Sequence, residues 1–181
     1  MPAKLNAYNI FLHIALVALA ALTVFLAAEN RALKQPPPAA PNGPDIGQEI
    51  KDLSWSPLDA PETITEVAAT GQESLLFIFT TDCSNCQATQ PTWEELHQTI
   101  GDSVSIVGLS LSEADLTRSY RDRHSIPFPV GLPTDPSAFM AALTVNGVPL
   151  TFRLDASGRV VGSWSGTLSE KHKSEIAATA S

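Results

Sequence analysis

The chain has 181 residues, a formal net charge of -8 and 44% apolar residues, and it contains only two cysteines. This length and apolar content suffice for one hydrophobic core of ordinary domain size. The negative net charge argues against a nucleic-acid partner, because affinity for nucleic acids comes mainly from Lys and Arg side chains that neutralise phosphates. We therefore expect one folded domain and no nucleic-acid partner.

The N-terminal segment predicts a membrane anchor. Residues Ile10–Ala28 carry no formal charge, and about twenty apolar residues span the roughly 30 Å hydrocarbon core as a helix. This run is longer than the apolar region of a cleavable signal peptide, which has about 7–15 residues. Leu26 also occupies a position at which a cleavage site requires a small residue. We predict a leader over 1–9 and a retained helix over 10–28 in the lipid bilayer, with His13 near the headgroups.

The charges around this helix do not decide its orientation, because Lys4 lies before it and Arg31 and Lys34 lie after it. A short leader before a large C-terminal domain favours the N-terminus inside. We expect a single-pass protein of the cytoplasmic membrane with its domain on the periplasmic or extracytoplasmic side. Residues 29–45 are predicted to be a linker, in which the five prolines of Gln35–Asp45 favour a polyproline II stalk of about 30 Å.

The folded domain is predicted over 46–181. The apolar run Ser74–Thr80 is typical of a strand that is buried on both faces of a sheet. After it, apolar residues recur at steps of four, three and four from Thr89 to Ile100, which indicates one face of a helix. Both cysteines, Cys83 and Cys86, lie where this strand ends and this helix begins.

The remaining elements alternate between strands and helices. The pattern predicts a strand over Val104–Leu111 and a helix that begins with the capping box Ser112–Asp115 and carries Leu116 and Tyr120. It also predicts a short helix with Asp135 as its N-cap and Pro136 at its first position. A turn cluster over 155–158 predicts an antiparallel hairpin of Leu150–Leu154 with Val160–Trp164. A closing helix is predicted over Ser169–Ala178.

Four roles compete for a pair of cysteines spaced by two residues. A structural zinc site needs four ligands, but there is no second cysteine pair, and the four histidines are scattered. Covalent haem attachment needs His after the second cysteine, and that residue is Gln87. A structural disulfide gains little from closing so short a loop. Redox chemistry is therefore favoured, with no metal site and no cofactor.

The position of the two cysteines also supports redox chemistry directly. A thiolate is the nucleophile of disulfide exchange, and the N-terminus of a helix stabilises it. We predict that Cys83 attacks and that Cys86 resolves the resulting mixed disulfide. The carboxylate of Asp82 disfavours the neighbouring thiolate and would make the pair a stronger reductant. The alternative is that Asp82 only caps the helix and has no effect on the redox couple.

The cysteine pair, Pro91 five residues later, and Gly147-Val148-Pro149 before the hairpin resemble the thioredoxin superfamily, in particular its anchored TlpA/ResA branch. The resemblance covers about residues 46–176. It implies an α/β fold, a three-layer α/β/α sandwich with a central mixed sheet, preceded by one transmembrane helix. It also implies a cis Val148–Pro149 peptide bond that leaves the backbone of Val148 able to pair with an extended substrate.

The chain departs from the family pattern at positions that set redox properties. Asp82 stands where the family commonly has Trp, and the inner dipeptide is Ser84-Asn85, without the frequent proline. Asp82, Ser84 and Asn85 are therefore predicted to tune the redox couple. Phe77 occupies the position at which thioredoxin keeps a buried acid for proton transfer, so another group or water must move that proton.

The resemblance implies a membrane-tethered reductant of protein disulfides, for example those of apocytochromes c, that is recharged by a membrane thiol relay. A peroxiredoxin-like thiol peroxidase is an alternative: Thr80 fits its P-x-x-x-T-x-x-C pattern, but Leu76 occupies the proline position. A further alternative is a copper-binding protein or metallochaperone that uses Cys83 and Cys86 as soft ligands for Cu(I).

Overall fold

The structure is a computed structural model that describes residues 7–34, 41–68 and 71–178. The chain divides into a unit over 1–40 and a compact unit over 41–181. Most of the predicted leader and the first part of the proline-rich stretch, residues 35–40, lie outside the described residues. The compact unit begins at Pro41, inside the segment that the sequence assigns to the linker.

The N-terminal unit contains one helix, α1 (Ala7–Lys34). Within it, Asn9–Asn30 has 22 residues, a mean hydropathy of 2.6 and no buried side chain. By length and composition this helix can cross a membrane. Two of its polar side chains bond to its own backbone: His13 Nδ1 lies 2.6 Å from the carbonyl oxygen of Asn9, and the Thr23 hydroxyl donates to the carbonyl oxygen of Ala20.

The compact unit is built on a seven-stranded sheet. Its strands are β1 (Ser54–Pro57), β2 (Thr65–Glu66), β3 (Ser74–Phe79), β4 (Ser105–Ser110), β5 (Val130–Pro133), β6 (Leu150–Leu154) and β7 (Val160–Ser165). Their order in the sheet is β2-β1-β5-β4-β3-β6-β7. Strands β3, β4 and β5 are parallel, whereas β6, β7, β1 and β2 are joined by antiparallel pairings, so the sheet is mixed.

Helices cover both faces of this sheet. Side chains alternate between the faces along each strand, so that β3 sends Leu76 and Ile78 into one apolar cluster and Leu75, Phe77 and Phe79 into the other. The first cluster includes α4 (Pro136–Ala142), and the second includes α2 (Ser84–Ile100), α3 (Ala114–His124) and α5 (Glu170–Ala178). The expected three-layer α/β/α architecture is confirmed.

Most predicted elements are present within one or two residues of their predicted bounds. β3 is buried along its whole length, and the hairpin pairs β6 with β7. The short helix α4 begins as predicted, with the side chain of Asp135 accepting a hydrogen bond from Ala138 N. The short strands β1, β2 and β5 carry no signal of their own in the sequence and were not predicted.

The capping box predicted at Ser112 is wrong. Helix α3 begins one residue later than that box requires, its N-cap is Glu113, and no side chain caps it. The Ser112 hydroxyl instead accepts a hydrogen bond from Thr81 N. Of the two residues that the pattern placed on this helix, Tyr120 is buried and Leu116 is 57% exposed.

Candidate active site

Cys83 lies at the junction between the central strand β3 and helix α2. It is the N-cap of α2, with φ -80° and ψ 108°, and its Sγ accepts a hydrogen bond from the backbone N–H of Cys86 at 3.0 Å. The first N–H groups of a helix have no partners within the helix. The sulfur of Cys83 therefore occupies the place that a capping oxygen usually takes, where a negative charge is stabilised.

The two cysteines form a disulfide, and their Cα atoms are 5.2 Å apart. Their surroundings differ strongly, because Cys83 is half-buried whereas Cys86 is 0% exposed. Cys86 lies in the apolar cluster between α2 and the sheet. A large partner can therefore reach the sulfur of Cys83 but not that of Cys86.

A loop before β6 contacts the disulfide from the other side. The Val148–Pro149 peptide bond is cis, and the carbonyl oxygen of Val148 lies 3.6 Å from Cys83 Sγ. Pro149 is buried, and its carbonyl oxygen accepts a hydrogen bond from Gly166 N at 2.8 Å. Val148 itself is half-buried. The structure thus brings together Cys83, Cys86, Val148 and Pro149, which the sequence placed in one site.

Comparison with known proteins finds no matching family model and no matching curated protein sequence, but it finds similar solved structures. StoA from Bacillus subtilis is 16% identical with a TM-score of 0.60, covering 71% of this chain and 98% of that protein. A thioredoxin family thiol:disulfide interchange protein from Chlorobium tepidum is 22% identical with a TM-score of 0.58, covering 78% and 99%. A secreted disulfide oxidoreductase from Mycobacterium tuberculosis is 16% identical with a TM-score of 0.56, covering 70% and 94%.

This chain has the thioredoxin fold. Within the fold, the three residues predicted to tune the redox couple lie at the exposed end of the dithiol: Asp82, Ser84 and Asn85 are all exposed. Their effect on the couple stays a prediction.

Polar side chains that the sequence did not assign to the site hold the turn before Cys83. The Ser112 hydroxyl accepts hydrogen bonds from the backbone N–H of Thr81 at 3.1 Å and from the Thr81 hydroxyl at 3.2 Å. Ser112 N donates to Ser110 Oγ, which also accepts from the buried Thr117 hydroxyl at 2.8 Å. Thr81 and Ser112 are far apart in sequence, so no local pattern could have revealed this contact.

An aromatic residue, Phe77, occupies the position at which thioredoxin keeps a buried acid. Phe77 is 0% exposed, its ring is stacked on Trp93 with centroids 4.8 Å apart, and Phe128 packs edge-on against it at 5.3 Å. Trp93 Nε1 donates to Thr151 Oγ1 at 3.2 Å. Among the residues that the structure describes, no Asp or Glu is buried.

A polar chain runs along α2 beyond Cys86. Gln90 is buried; its amide donates to Glu94 at 2.8 Å and its oxygen accepts from the Tyr120 hydroxyl at 3.0 Å. Burial raises the pKa of Tyr120 above its ordinary value, and the charge of Glu94 adds to this effect. This row of hydrogen bonds fixes α3 against α2.

Two further features bear on ligands. In the described part of the chain, no group of three or more His, Cys, Asp or Glu side chains could hold a metal ion. A small cavity of about 170 Å³ adjoins the cis-proline loop, and its lining includes the apolar side chains of Leu111, Met140, Val145 and Val148. The surface at the cis-proline loop is thus concave and mostly apolar, which suits an apolar side chain of a bound peptide.

Proposed function

We propose that this protein is a membrane-anchored, extracytoplasmic thiol–disulfide oxidoreductase that reduces disulfides in other proteins. The observation that carries the proposal is the placement of Cys83. It is the more exposed member of the pair, its Sγ accepts a hydrogen bond from the Cys86 N–H at the start of α2, and it adjoins the carbonyl oxygen of Val148. Among the similar structures are a thiol:disulfide interchange protein and a disulfide oxidoreductase.

The reaction transfers two electrons from the reduced pair to the substrate. The Cys83 thiolate attacks one sulfur of the substrate disulfide, which forms a mixed disulfide and releases one substrate thiolate. Cys86 then loses its proton, which balances the charge on that released thiolate. The Cys86 thiolate attacks Cys83 Sγ, forms the Cys83–Cys86 disulfide and releases the second substrate sulfur as a thiolate. The second substrate thiolate takes a proton from water, so the substrate leaves as a dithiol, and an external dithiol must reduce the enzyme again.

Several features support the location and the partners. Helix α1 is long and apolar enough to hold the domain at a membrane, and one similar structure is that of a secreted protein. Within this proposal, the substrates are protein disulfides such as those of apocytochromes c, and a membrane thiol relay supplies the electrons. A disulfide-reducing protein outside the cytoplasm needs such a donor, because the compartment itself favours oxidation.

The reduction potential tests the direction of the reaction. The full chain in detergent micelles is equilibrated with dithiothreitol or glutathione buffers, and the reduced fraction is trapped with a thiol-reactive label. We expect a potential near or below about -250 mV, in the range of thioredoxin. A value near about -120 mV, that of the oxidant DsbA, would make the protein a disulfide-forming enzyme instead.

Trapping tests which cysteine attacks. A reduced Cys86→Ser variant is mixed with a disulfide-bonded protein substrate and analysed on a non-reducing gel. We expect it to accumulate a mixed disulfide, because no resolving thiol remains. The matched Cys83→Ser variant should accumulate far less, since Cys86 is 0% exposed. Equal trapping by both variants would contradict the assigned roles.

The same reduced protein tests the two alternatives from the sequence. Sustained turnover of hydrogen peroxide with a thiol donor would support the peroxidase hypothesis. Tight binding of Cu(I) that survives competition by a chelator would support the copper-binding hypothesis, in which Cys83 and Cys86 supply two soft ligands.

A further inference from the structure

The segment before the sheet lies against the cis-proline loop. Gly43 N donates to the carbonyl oxygen of Thr144 at 3.0 Å, and Gly43 has a φ of +106°, a conformation that favours glycine. The next residue, Pro44, is buried. The end of the predicted stalk is therefore folded onto the domain at the loop that also carries Val148.

Asn42 makes the closest connection. Its Oδ1 accepts hydrogen bonds from the backbone N–H groups of Asn146 at 2.7 Å and Gly147 at 2.9 Å. Its Nδ2 donates to the carbonyl oxygen of Gly147 at 3.0 Å and to Ser165 Oγ at 2.6 Å. In return, Asn146 Nδ2 donates to the carbonyl oxygen of Pro41 at 2.6 Å. Both ends of one amide group thus hold the backbone directly before Val148.

We propose that Asn42 is a positioning residue for the backbone that receives a peptide substrate. Asn42 fixes Gly147, and Gly147 precedes the Val148 carbonyl, which lies 3.6 Å from Cys83 Sγ. A backbone edge that is already ordered costs less conformational entropy when an extended peptide pairs with it. This inference rests on the proposed function, because it concerns binding of a protein disulfide and not the reactivity of the sulfurs.

The proposal distinguishes two kinds of substrate. A peptide disulfide must pair with the loop before its sulfur reaches Cys83, whereas a small disulfide such as 5,5′-dithiobis(2-nitrobenzoate) needs only the exposed sulfur. Removing the Asn42 contacts that hold the loop should therefore slow the reaction with the peptide disulfide and leave the reaction with the small disulfide unchanged. A purely structural role of Asn42 would change both reactions together or neither.

Three variants of the full chain in detergent micelles test this. Asn42→Ala removes all four hydrogen bonds of the side chain, whereas Asn42→Asp keeps the two that its oxygen accepts. The control, Gln48→Ala, breaks a similar contact of the same segment, from Gln48 Nε2 to the carbonyl oxygen of Ala142 at 2.9 Å, away from Val148. Second-order rate constants of each reduced protein are measured with both disulfides, after urea unfolding has shown that each variant is folded.

We expect Asn42→Ala to lower the rate constant with the peptide about fivefold, the equivalent of one net hydrogen bond. Asn42→Asp should fall between this variant and the wild type, and Gln48→Ala should match the wild type. An unchanged ratio of the peptide rate to the small-disulfide rate in Asn42→Ala would overturn the positioning role alone. A wild-type protein that reacts with the small disulfide but not with the peptide would overturn the proposed function and, with it, this inference.

Discussion

Replacing Phe77 with aspartate would place a carboxyl where thioredoxin keeps a buried acid. Phe77 is 0% exposed and stacked on Trp93, and cutting back a buried phenyl ring costs about 3–5 kcal/mol. Burial also disfavours a carboxylate, so the pKa of the new carboxyl rises above its ordinary value of about 3.9. Each unit of that rise costs a further ~1.4 kcal/mol at neutral pH. Together, the lost packing and the buried carboxylate remove much of the free energy of unfolding, which is typically 5–15 kcal/mol for a domain.

The assay is urea unfolding of the full chain in detergent, followed by tryptophan fluorescence, since all three tryptophans lie in the compact unit. The folded state holds the extra proton more tightly than the unfolded state, so the free energy of unfolding of Phe77→Asp should fall as pH rises from about 4 and level off above the folded pKa. The control Phe77→Leu should lose only about 1–2 kcal/mol, independently of pH. Equal and pH-independent losses in both variants would refute the apolar description of this site.

Three further predictions concern other groups. Burial raises the pKa of Tyr120, so the stability advantage of the wild type over Tyr120→Phe should be present below the unfolded pKa of about 10 and be lost as pH rises further, in pH-dependent urea unfolding. Arg153 is buried and paired with Glu73, whose side chain is 36% exposed, so Glu73→Gln should lower the unfolding midpoint in urea more than Arg153→Met, which leaves no buried charge. Asp82→Asn should raise the reduction potential by about 10–20 mV at low salt, whereas Asp102→Asn, at the far end of α2, should leave it unchanged.

The sequence predicts those parts of the fold whose signal is local. Strand β3 is predicted correctly because its apolar run is nearly uninterrupted. Helix α4 is predicted correctly because Asp is a preferred N-cap residue and Pro is preferred at the first helical position, here Asp135 and Pro136. The strands β1 and β5 have four residues each and contain proline. So short a strand shows no periodicity, and its pairing with neighbours decides its conformation.

The site divides in the same way. The roles predicted for Cys83 and Cys86 follow from their spacing and from the helix that begins beside them. The contacts made by Ser112 and Asn42 cannot be predicted from a local pattern, because each joins residues that are distant in sequence. Ser112 matched a local capping pattern but is used in a long-range contact, and Asn42 stands in a proline-rich stretch whose composition indicates only a spacer.

The order of the two proposed sulfur reactions is set by burial more than by the chemistry of either thiol. A protein disulfide is too large to reach Cys86, which is 0% exposed, so the first bond must form at Cys83, beside the Val148 carbonyl. Cys86 can then attack only Cys83 Sγ, once that sulfur is part of the mixed disulfide. Because that second attack is intramolecular, its effective concentration is high and the mixed disulfide is short-lived. The same burial explains why removing Cys86, and not Cys83, is expected to trap the substrate.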